Sequence, residues 1–274
     1  MSAWTDGLRG PRLDRRGLLR GGVAVVSMGA IVSACGAGRS GSSEPGRVGV
    51  APPLPTLPEG EVDDVVLLRT AQSLEHTALA VLDAVAAAGA LIADEAALAQ
   101  RFAADHQAHS AAIGELISAA GGEPFACANP FLTGRVVEPA LEALDGTDDL
   151  HRDLVNLTFG FETLLGQSAQ ALVGSIVDLD LRSELMRIGG EEHRHAAVFA
   201  ATVNPDELVS PALLGEQVSP DADGFPIPYA IPSTFGQVSS IELIVGAADS
   251  EGARFTVLLN TPAENSYVYG YQSC

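Results

Sequence analysis

Residues 105–113 read DHQAHSAAI, and residues 191–199 read EEHRHAAVF. Each stretch opens on an acid and has a histidine at its fifth position, within a run of small and apolar residues. A lone glutamate on an apolar segment precedes each stretch: Glu75 comes before the first and Glu162 before the second. The chain therefore carries the same combination of glutamate, acid and histidine twice.

The segments that carry these residues have the spacing of amphipathic helices. Apolar residues recur at helical intervals, glycines punctuate the runs, and Asp94 is the predicted N-cap of the second helix. The predicted helices span about 63–88, about 94–120, about 148–177, and from the turn at 178–180 to about 203. Short turns join the first helix to the second and the third to the fourth, which predicts two antiparallel hairpins.

The position of each turn brings the repeated residues to one height. Glu75 and His109 are equidistant from the first turn, and Glu162 and His195 are equidistant from the second. In an antiparallel pair, such residues lie at the same level, here roughly 20–25 Å from the turn at 1.5 Å per residue. We therefore expect all four side chains in one layer of a bundle.

The fold class is predicted to be mainly α: a four-helix bundle over residues 61–204 with a small C-terminal β-rich extension over 205–274. A long crossover joins the hairpins and contains a short helical stretch at about 136–144. Prolines break the chain after about 206, and residues 240–245 and 255–259 then read as a β-hairpin. Residues 266–269 could add a third strand.

The first 60 residues are predicted to lie outside the bundle. Arg15 and Arg16 precede an apolar stretch that ends in VSACG at 32–36, so residues 1–34 read as a twin-arginine signal peptide and Cys35 as a lipidation site. Residues 35–60 read as a flexible tether. This predicts export by the twin-arginine route and a lipid anchor on the outer face of the cell membrane. The alternative is a buried helix with an incidental cysteine.

Charge excludes one class of partner. The formal net charge is −20, and every basic residue is arginine. Nucleic-acid binding needs a basic face that neutralises phosphates. We therefore expect no nucleic-acid partner, whereas the acidity suits solubility or the attraction of cations.

The second half of the repeat carries ligands suited to a metal. Glu192 and His195 are three residues apart and share one helix face, so they offer a carboxylate and an imidazole to one site. Glu162 lies in an apolar segment, where a carboxylate requires a partner because burying its bare charge is costly. In the first half, His106 stands where the repeat calls for a glutamate, and Asp105 stands where Glu191 does.

These motifs resemble the ferritin-like superfamily of carboxylate-bridged di-iron proteins, and more closely the exported ferritin-like proteins of bacteria. The resemblance covers about residues 61–204. It implies a metal site with six ligands, and a di-iron site of this kind implies oxidase or peroxidase-like activity. The implied metal ligands are Glu75, His106, His109, Glu162, Glu192 and His195.

His106 is the departure from the family pattern, which has a glutamate there. An imidazole is neutral when it binds a metal, so the site would hold two trivalent irons less firmly. A single metal, a mixed pair, or Mn or Zn in place of iron becomes more plausible, because sites of nitrogen and oxygen ligands select poorly among divalent ions. Either His106 or Asp105 could replace the missing ligand.

The sequence is compatible with two functions. The first is a redox or metal-handling protein; because the sequence contains no Cys-x-x-Cys pair, turnover would require an external reductant. The second is a non-enzymatic envelope lipoprotein whose metal-free bundle acts as a binding or structural module. His76, His151 and His193 are expected to lie outside any metal site. The oligomeric state is left open.

Cys127 and Cys274 are the cysteines that remain if Cys35 carries a lipid. In an exported protein, two remaining cysteines favour a disulfide, which would fix the end of the chain to the crossover. The alternative is two free thiols.

Overall fold

Four long helices pair as two hairpins in the computed structural model, which describes residues 60–203, 240–250, 254–261 and 264–274. The helices are α1 (Asp64–Ala88), α2 (Ala93–Ala119), α3 (Pro130–Leu132), α4 (Glu138–Ala143), α5 (Leu150–Ser175) and α6 (Leu179–Val203). Helix α1 packs on α2 and α5, and α6 packs on α5 and α2. The predicted mainly-α bundle with a long crossover is confirmed.

Several sequence predictions lie outside the described residues. They are the signal segment 1–34, the lipidation site Cys35, all but the last residue of the tether 35–60, and the proline-rich stretch that begins the extension after residue 204.

The ends of the first two helices follow from local side chains. Asp63 caps α1 because its carboxylate accepts a hydrogen bond from the N–H of Val66 at 2.8 Å. Gly89 ends α1 in the left-handed region at φ 69°. The prediction that Asp94 caps α2 was wrong. The helix begins at Ala93, and Glu95 instead accepts a hydrogen bond from the N–H of Ile92 at 3.1 Å.

All four long helices contribute to one apolar core. Leu68 of α1, Ile113 of α2, Leu157 of α5 and Ile188 of α6 are buried in it. Burial of this apolar surface is the main force that holds the helices together. Within the described part of the chain, no helix combines the length and the apolarity needed to cross a bilayer.

The crossover lies against this core. Asn129 caps α3 by accepting hydrogen bonds from the N–H groups of Phe131 and Leu132, both at 3.2 Å. A π-helical turn at Thr133–Val137 then leads into α4. Leu132 and Val136 are buried in the same core as the long helices, so the crossover closes one side of the bundle.

The C-terminal extension contains the predicted β-hairpin. Strands β1 (Ser240–Val245) and β2 (Phe255–Asn260) pair antiparallel, and Leu243 of β1 is buried in the core. The third strand predicted at 266–269 was wrong, because the sheet has two strands within the described residues. The N–H of Val268 instead donates to the hydroxyl of Thr70 on α1 at 2.9 Å, so this backbone is bound to a helix.

The last residues of the chain are fastened to α1 and to the crossover. The buried guanidinium of Arg69 donates to the carbonyls of Glu123 and of Gln272, the latter at 2.6 Å, and lies over the ring of Phe125. The structure also joins Cys127 and Cys274 in a disulfide. Arg69 therefore links three segments that are distant in sequence.

We predict that Arg69→Ala lowers the free energy of unfolding by roughly 2–4 kcal/mol, because buried carbonyls lose a charged hydrogen-bond donor. Urea denaturation of the purified chain measures this loss. Arg187→Ala is the matched control: the side chain of Arg187 is 52% exposed and pairs with Glu184 and Glu191, which are 50% and 29% exposed, so its loss should change stability by less than about 0.5 kcal/mol. Equal stability of the two variants would contradict the prediction.

Candidate metal centre

Six ionisable side chains from the four long helices meet in the interior of the bundle. None of them is more than 8% exposed. They are Glu75 on α1, His106 and His109 on α2, Glu162 on α5, and Glu192 and His195 on α6. The structure thus brings together all six residues singled out from the sequence, and their role as ligands stays a prediction.

The first group of potential ligand atoms lies between α1, α2 and α6. Nδ1 of His106 is 2.8 Å from Oε2 of Glu75, and Nδ1 of His109 is 2.6 Å from Oε1 of Glu192. The two pairs are themselves adjacent, because His109 Nδ1 is 3.8 Å from Glu75 Oε2 and His106 Nδ1 is 3.5 Å from Glu192 Oε1. Two nitrogens and two oxygens thus face one small volume.

The second group lies between α2, α5 and α6. Nε2 of His106 is 3.1 Å from Oε1 of Glu162, and Nδ1 of His195 is 3.1 Å from Oε2 of the same carboxylate. Nδ1 of His195 is also 3.2 Å from Oε2 of Glu192. In each group of four residues, one potential ligand atom per residue lies within 4.8 Å of all the others, which is close enough to hold a metal ion.

Two residues belong to both groups, and each turns a different atom toward each. His106 contacts the first group through Nδ1 and the second through Nε2. Glu192 contacts His109 through Oε1 and His195 through Oε2. His106 and Glu192 thus connect the two groups.

A second layer of carboxylates lies outside the six residues. Glu191 on α6 contacts Nε2 of His109 on α2 at 2.8 Å, while Asp105 on α2 contacts Nε2 of His195 on α6 at 3.3 Å. Each outer acid thus contacts the histidine of the opposite helix and fixes the orientation of its ring. Asp105 also binds Arg101 at 2.8 Å and belongs to neither group of potential ligands, whereas His106 belongs to both.

These outer contacts were missed by sequence reasoning. The signal that could have identified them is the repeat itself, since Asp105 and Glu191 each directly precede a member of the cluster. Phe102 was missed as well. Its ring stacks on that of His195 with 4.3 Å between centroids and covers the second group on its apolar side.

The carboxylates of the cluster raise the pKa values of its three histidines. Burial opposes charge on His109, but the hydrogen bonds that its ring donates to Glu192 and Glu75 outweigh burial and raise the pKa to about 10. For His195, burial is likewise outweighed by Glu162 and Glu192, and the pKa rises to about 9. The pKa of His106 is raised well above its ordinary value by Glu162, Glu192 and Glu75, again against burial.

The carboxylate of Glu192 shows the reverse effect. Burial favours its neutral form, but hydrogen bonds from the three imidazoles lower its pKa well below the ordinary value. Its Oε2 is buried and lies 3.2 Å from Nδ1 of His195, which also faces Oε2 of Glu162 at 3.1 Å. One N–H cannot satisfy both oxygens in full, so Oε2 of Glu192 keeps capacity for a cation.

The remaining histidines of the described chain lie outside the cluster. His76 is hydrogen-bonded to the hydroxyl of Ser110 at 2.8 Å, and His151 to Glu95 at 2.8 Å. His193 points at α5, where its ring leaves no room for a side chain at Gly166. None of the three belongs to either group of potential ligands.

Comparison with known proteins identifies the family of the bundle. Residues 63–205 match the model of a family described as a ferritin-like domain. The match covers more than half of the chain and includes all six residues of the cluster. No curated protein and no solved structure matches the chain.

We predict that the histidines of chelator-treated protein separate into two classes when their imidazole ¹⁵N shifts are followed against pH. His109 and His195 should titrate near 10 and 9, because nearby carboxylates hold their protons. His76 and His193, whose pKa values are lowered chiefly by burial, serve as internal controls and should titrate below 6.5. Titration of His109 and His195 near 6.5 in folded protein would contradict the assigned contacts.

Proposed function

The chain belongs to the ferritin-like domain family, and on this premise we propose that it binds a transition metal in the six-residue cluster and has a redox or metal-handling role. Iron is the metal that we propose first, with manganese or zinc as alternatives. The observation that carries the proposal is the convergence of three carboxylates and three imidazoles, all nearly inaccessible to solvent, in two groups of metal-sized dimensions.

The donor set supports a metal in three ways. Mixed nitrogen and oxygen ligands suit iron, manganese and zinc. The buried Oε2 of Glu192 shares the single Nδ1–H of His195 with Glu162, which leaves a lone pair for a cation. The outer carboxylates Asp105 and Glu191 orient His195 and His109 from behind, which is a common arrangement around metal-binding histidines.

Bound iron would supply one-electron redox chemistry at this site. The side chains of the cluster would hold the ion and limit its contact with water. Glu75, Glu162 and Glu192 would hold the cation, while His109 and His195 would turn their Nδ1 lone pairs to it. Burial of the cluster limits access of water, and Phe102 shields the ring of His195. We propose that electrons come from an external reductant, because the sequence contains no Cys-x-x-Cys pair that could bind a second redox centre.

Metal ions and protons compete for the same histidines. Without a metal, protonated His106, His109 and His195 offset the charge of three carboxylates. A metal takes a nitrogen lone pair only after the proton has left. Because the pKa values of His109 and His195 are raised to about 10 and about 9, metal binding at neutral pH releases protons, and affinity rises with pH up to that range.

We predict that the purified chain takes up at least about one equivalent of Fe²⁺, Mn²⁺ or Zn²⁺, and that Glu192→Ala lowers uptake below about 0.2 equivalents. Glu192 contacts both groups, so its loss should impair both. His193→Ala, one residue away and facing α5, is the matched control and should bind as the unmodified chain does. Metal analysis after removal of excess ions measures the uptake.

The outcome that would overturn the proposed function is uptake below about 0.2 equivalents by the unmodified, folded chain. The bundle would then be a metal-free binding or structural module. Circular dichroism separates this outcome from misfolding. Glu162→Gln provides a second variant, which keeps the shape of the side chain while removing its charge.

We further propose that the protein is exported by the twin-arginine route and anchored by a lipid at Cys35. Support comes from the sequence: Arg15 and Arg16, the apolar stretch that follows, and the small residues before Cys35 occur in the order that such signals require. The bundle would then lie outside the cell membrane, held by the tether at 35–60.

We predict that Cys35→Ser abolishes incorporation of a clickable fatty acid into the protein in a bacterial host and moves the chain out of the membrane fraction. Cys127→Ser is the matched control and should keep the label, because that cysteine lies in the bundle and pairs with Cys274. Label retained in the Cys35→Ser variant would contradict lipidation at this position.

A further inference from the structure

His106 is the residue that departs from the family pattern, and its ring lies between the two groups of ligands. We propose that His106 binds two metal ions at once, one through each ring nitrogen, as a bridging imidazolate. The inference rests on the proposed function, since it requires that metal binds, and it adds the number of ions, their charge and their spacing.

The orientation of the ring is the first argument. Nδ1 of His106 is 2.8 Å from Glu75, and Nε2 on the other side of the ring is 3.1 Å from Glu162. The lone pairs of the two nitrogens diverge in the ring plane, so one ion cannot take both. His109 and His195 also direct both ring nitrogens at carboxylates, but their second partners, Glu191 and Asp105, lie outside the two groups. The two partners of His106 belong to different groups, Glu75 to the first and Glu162 to the second.

Glu192 supplies the second argument, because it connects the same two groups. Its Oε1 is 2.6 Å from His109 in the first group, and its Oε2 is 3.2 Å from His195 in the second. Oε2 shares the single Nδ1–H of His195 with Glu162, so it keeps a lone pair for a cation. The two groups would therefore share one carboxylate and one imidazole, and each would keep a glutamate and a histidine of its own.

The net charge of the cluster bears on the bridge as well. Both bridging residues are fully buried, and a net charge in such a site is costly. The three carboxylates of the cluster and one imidazolate together carry four negative charges, which two divalent ions neutralise. One divalent ion with a proton left on one imidazole would also neutralise the three carboxylates, so charge is compatible with the bridge, and the position of the ring between the two groups carries the proposal.

The bridge also fixes the distance between the ions. With metal–nitrogen bonds of about 2.0–2.1 Å on both sides of the ring, the two ions would lie roughly 6 Å apart. Sites bridged by small oxygen ligands hold their metals about 3.5–4 Å apart. The ion spacing therefore distinguishes an imidazolate bridge from the carboxylate bridge that a glutamate at 106 would supply.

The test uses Zn²⁺-loaded full chain, metal analysis for stoichiometry, and anomalous diffraction for the positions of the ions. We expect two ions per chain, roughly 6 Å apart, with the ring of His106 between them. In H106E, two ions should remain but approach to about 3.5–4 Å. In H106Q, which offers one ligand oxygen in place of two nitrogens, uptake should fall by half. H193Q is the control and should keep both ions at the original spacing.

Three results would overturn the proposed bridge. A single ion in the unmodified chain, two ions about 3.5–4 Å apart, or an unchanged spacing in H106E would exclude His106 as the bridging ligand while metal binding itself stood. No uptake at all would overturn the proposed function as well. Urea denaturation of H106E and H106Q confirms that the variants are folded, so loss of metal is not mistaken for loss of structure.

Discussion

The structure depends on the neutralisation of three buried carboxylates. Glu75, Glu162 and Glu192 are at most 3% exposed, and each contacts at least one imidazole within 3.1 Å. An isolated carboxylate in such a place would take up a proton or unfold its surroundings. Protonated imidazoles supply the opposite charge in the metal-free protein, and metal ions would supply it in the loaded protein. The bundle must therefore hold four helices in a register that keeps acid and base in contact.

The register is secured on both sides of the cluster. Apolar residues such as Leu68 and Leu157 fill the core that the long helices share. The outer side of α1, which a four-helix bundle leaves exposed to solvent, is covered here by the crossover and the chain terminus. Asn129 donates to the hydroxyl of Ser73 and to the carbonyl of Ser266, both at 2.8 Å, while Arg69 binds the carbonyl of Gln272. Glu75 thus lies on a helix that is buried on nearly all sides.

The layer of ionisable residues was predictable from sequence, whereas its internal contacts were not. The equal distances of Glu75 and His109 from one turn, and of Glu162 and His195 from the other, required only the geometry of an antiparallel pair. The direction of each ring depends on rotamers that the spacing does not determine. For that reason the contact of Asp105 with His195 on α6, beside its ion pair with Arg101 on its own helix, emerged only from the structure.

Errors in the predicted fold have a similar origin. Residues 266–269 alternate in a way that suits a strand, but the N–H of Val268 donates to the hydroxyl of Thr70 on α1, and the carbonyl of Ser266 accepts from Asn129. Asp94 is of a residue type that often caps helices, but the helix begins at Ala93, one residue earlier. The N–H of Ile92 donates to the carboxylate of Glu95. In both places a specific side-chain hydrogen bond, from the next residue in one case and from a distant helix in the other, determined the backbone, which propensity alone does not describe.

Stability alone gives no reason for a bundle to keep this cluster. Buried ion pairs roughly offset their own desolvation, and replacing them with apolar residues of similar volume is often stabilising by about 1–4 kcal/mol. The apolar core already holds the four helices, so Leu or Met at these six positions would serve the fold as well. Loss of a single member is different, because it leaves an opposite charge buried without a partner. A cluster that contributes little to stability as a whole, but requires all of its members, is compatible with a site that holds a cation.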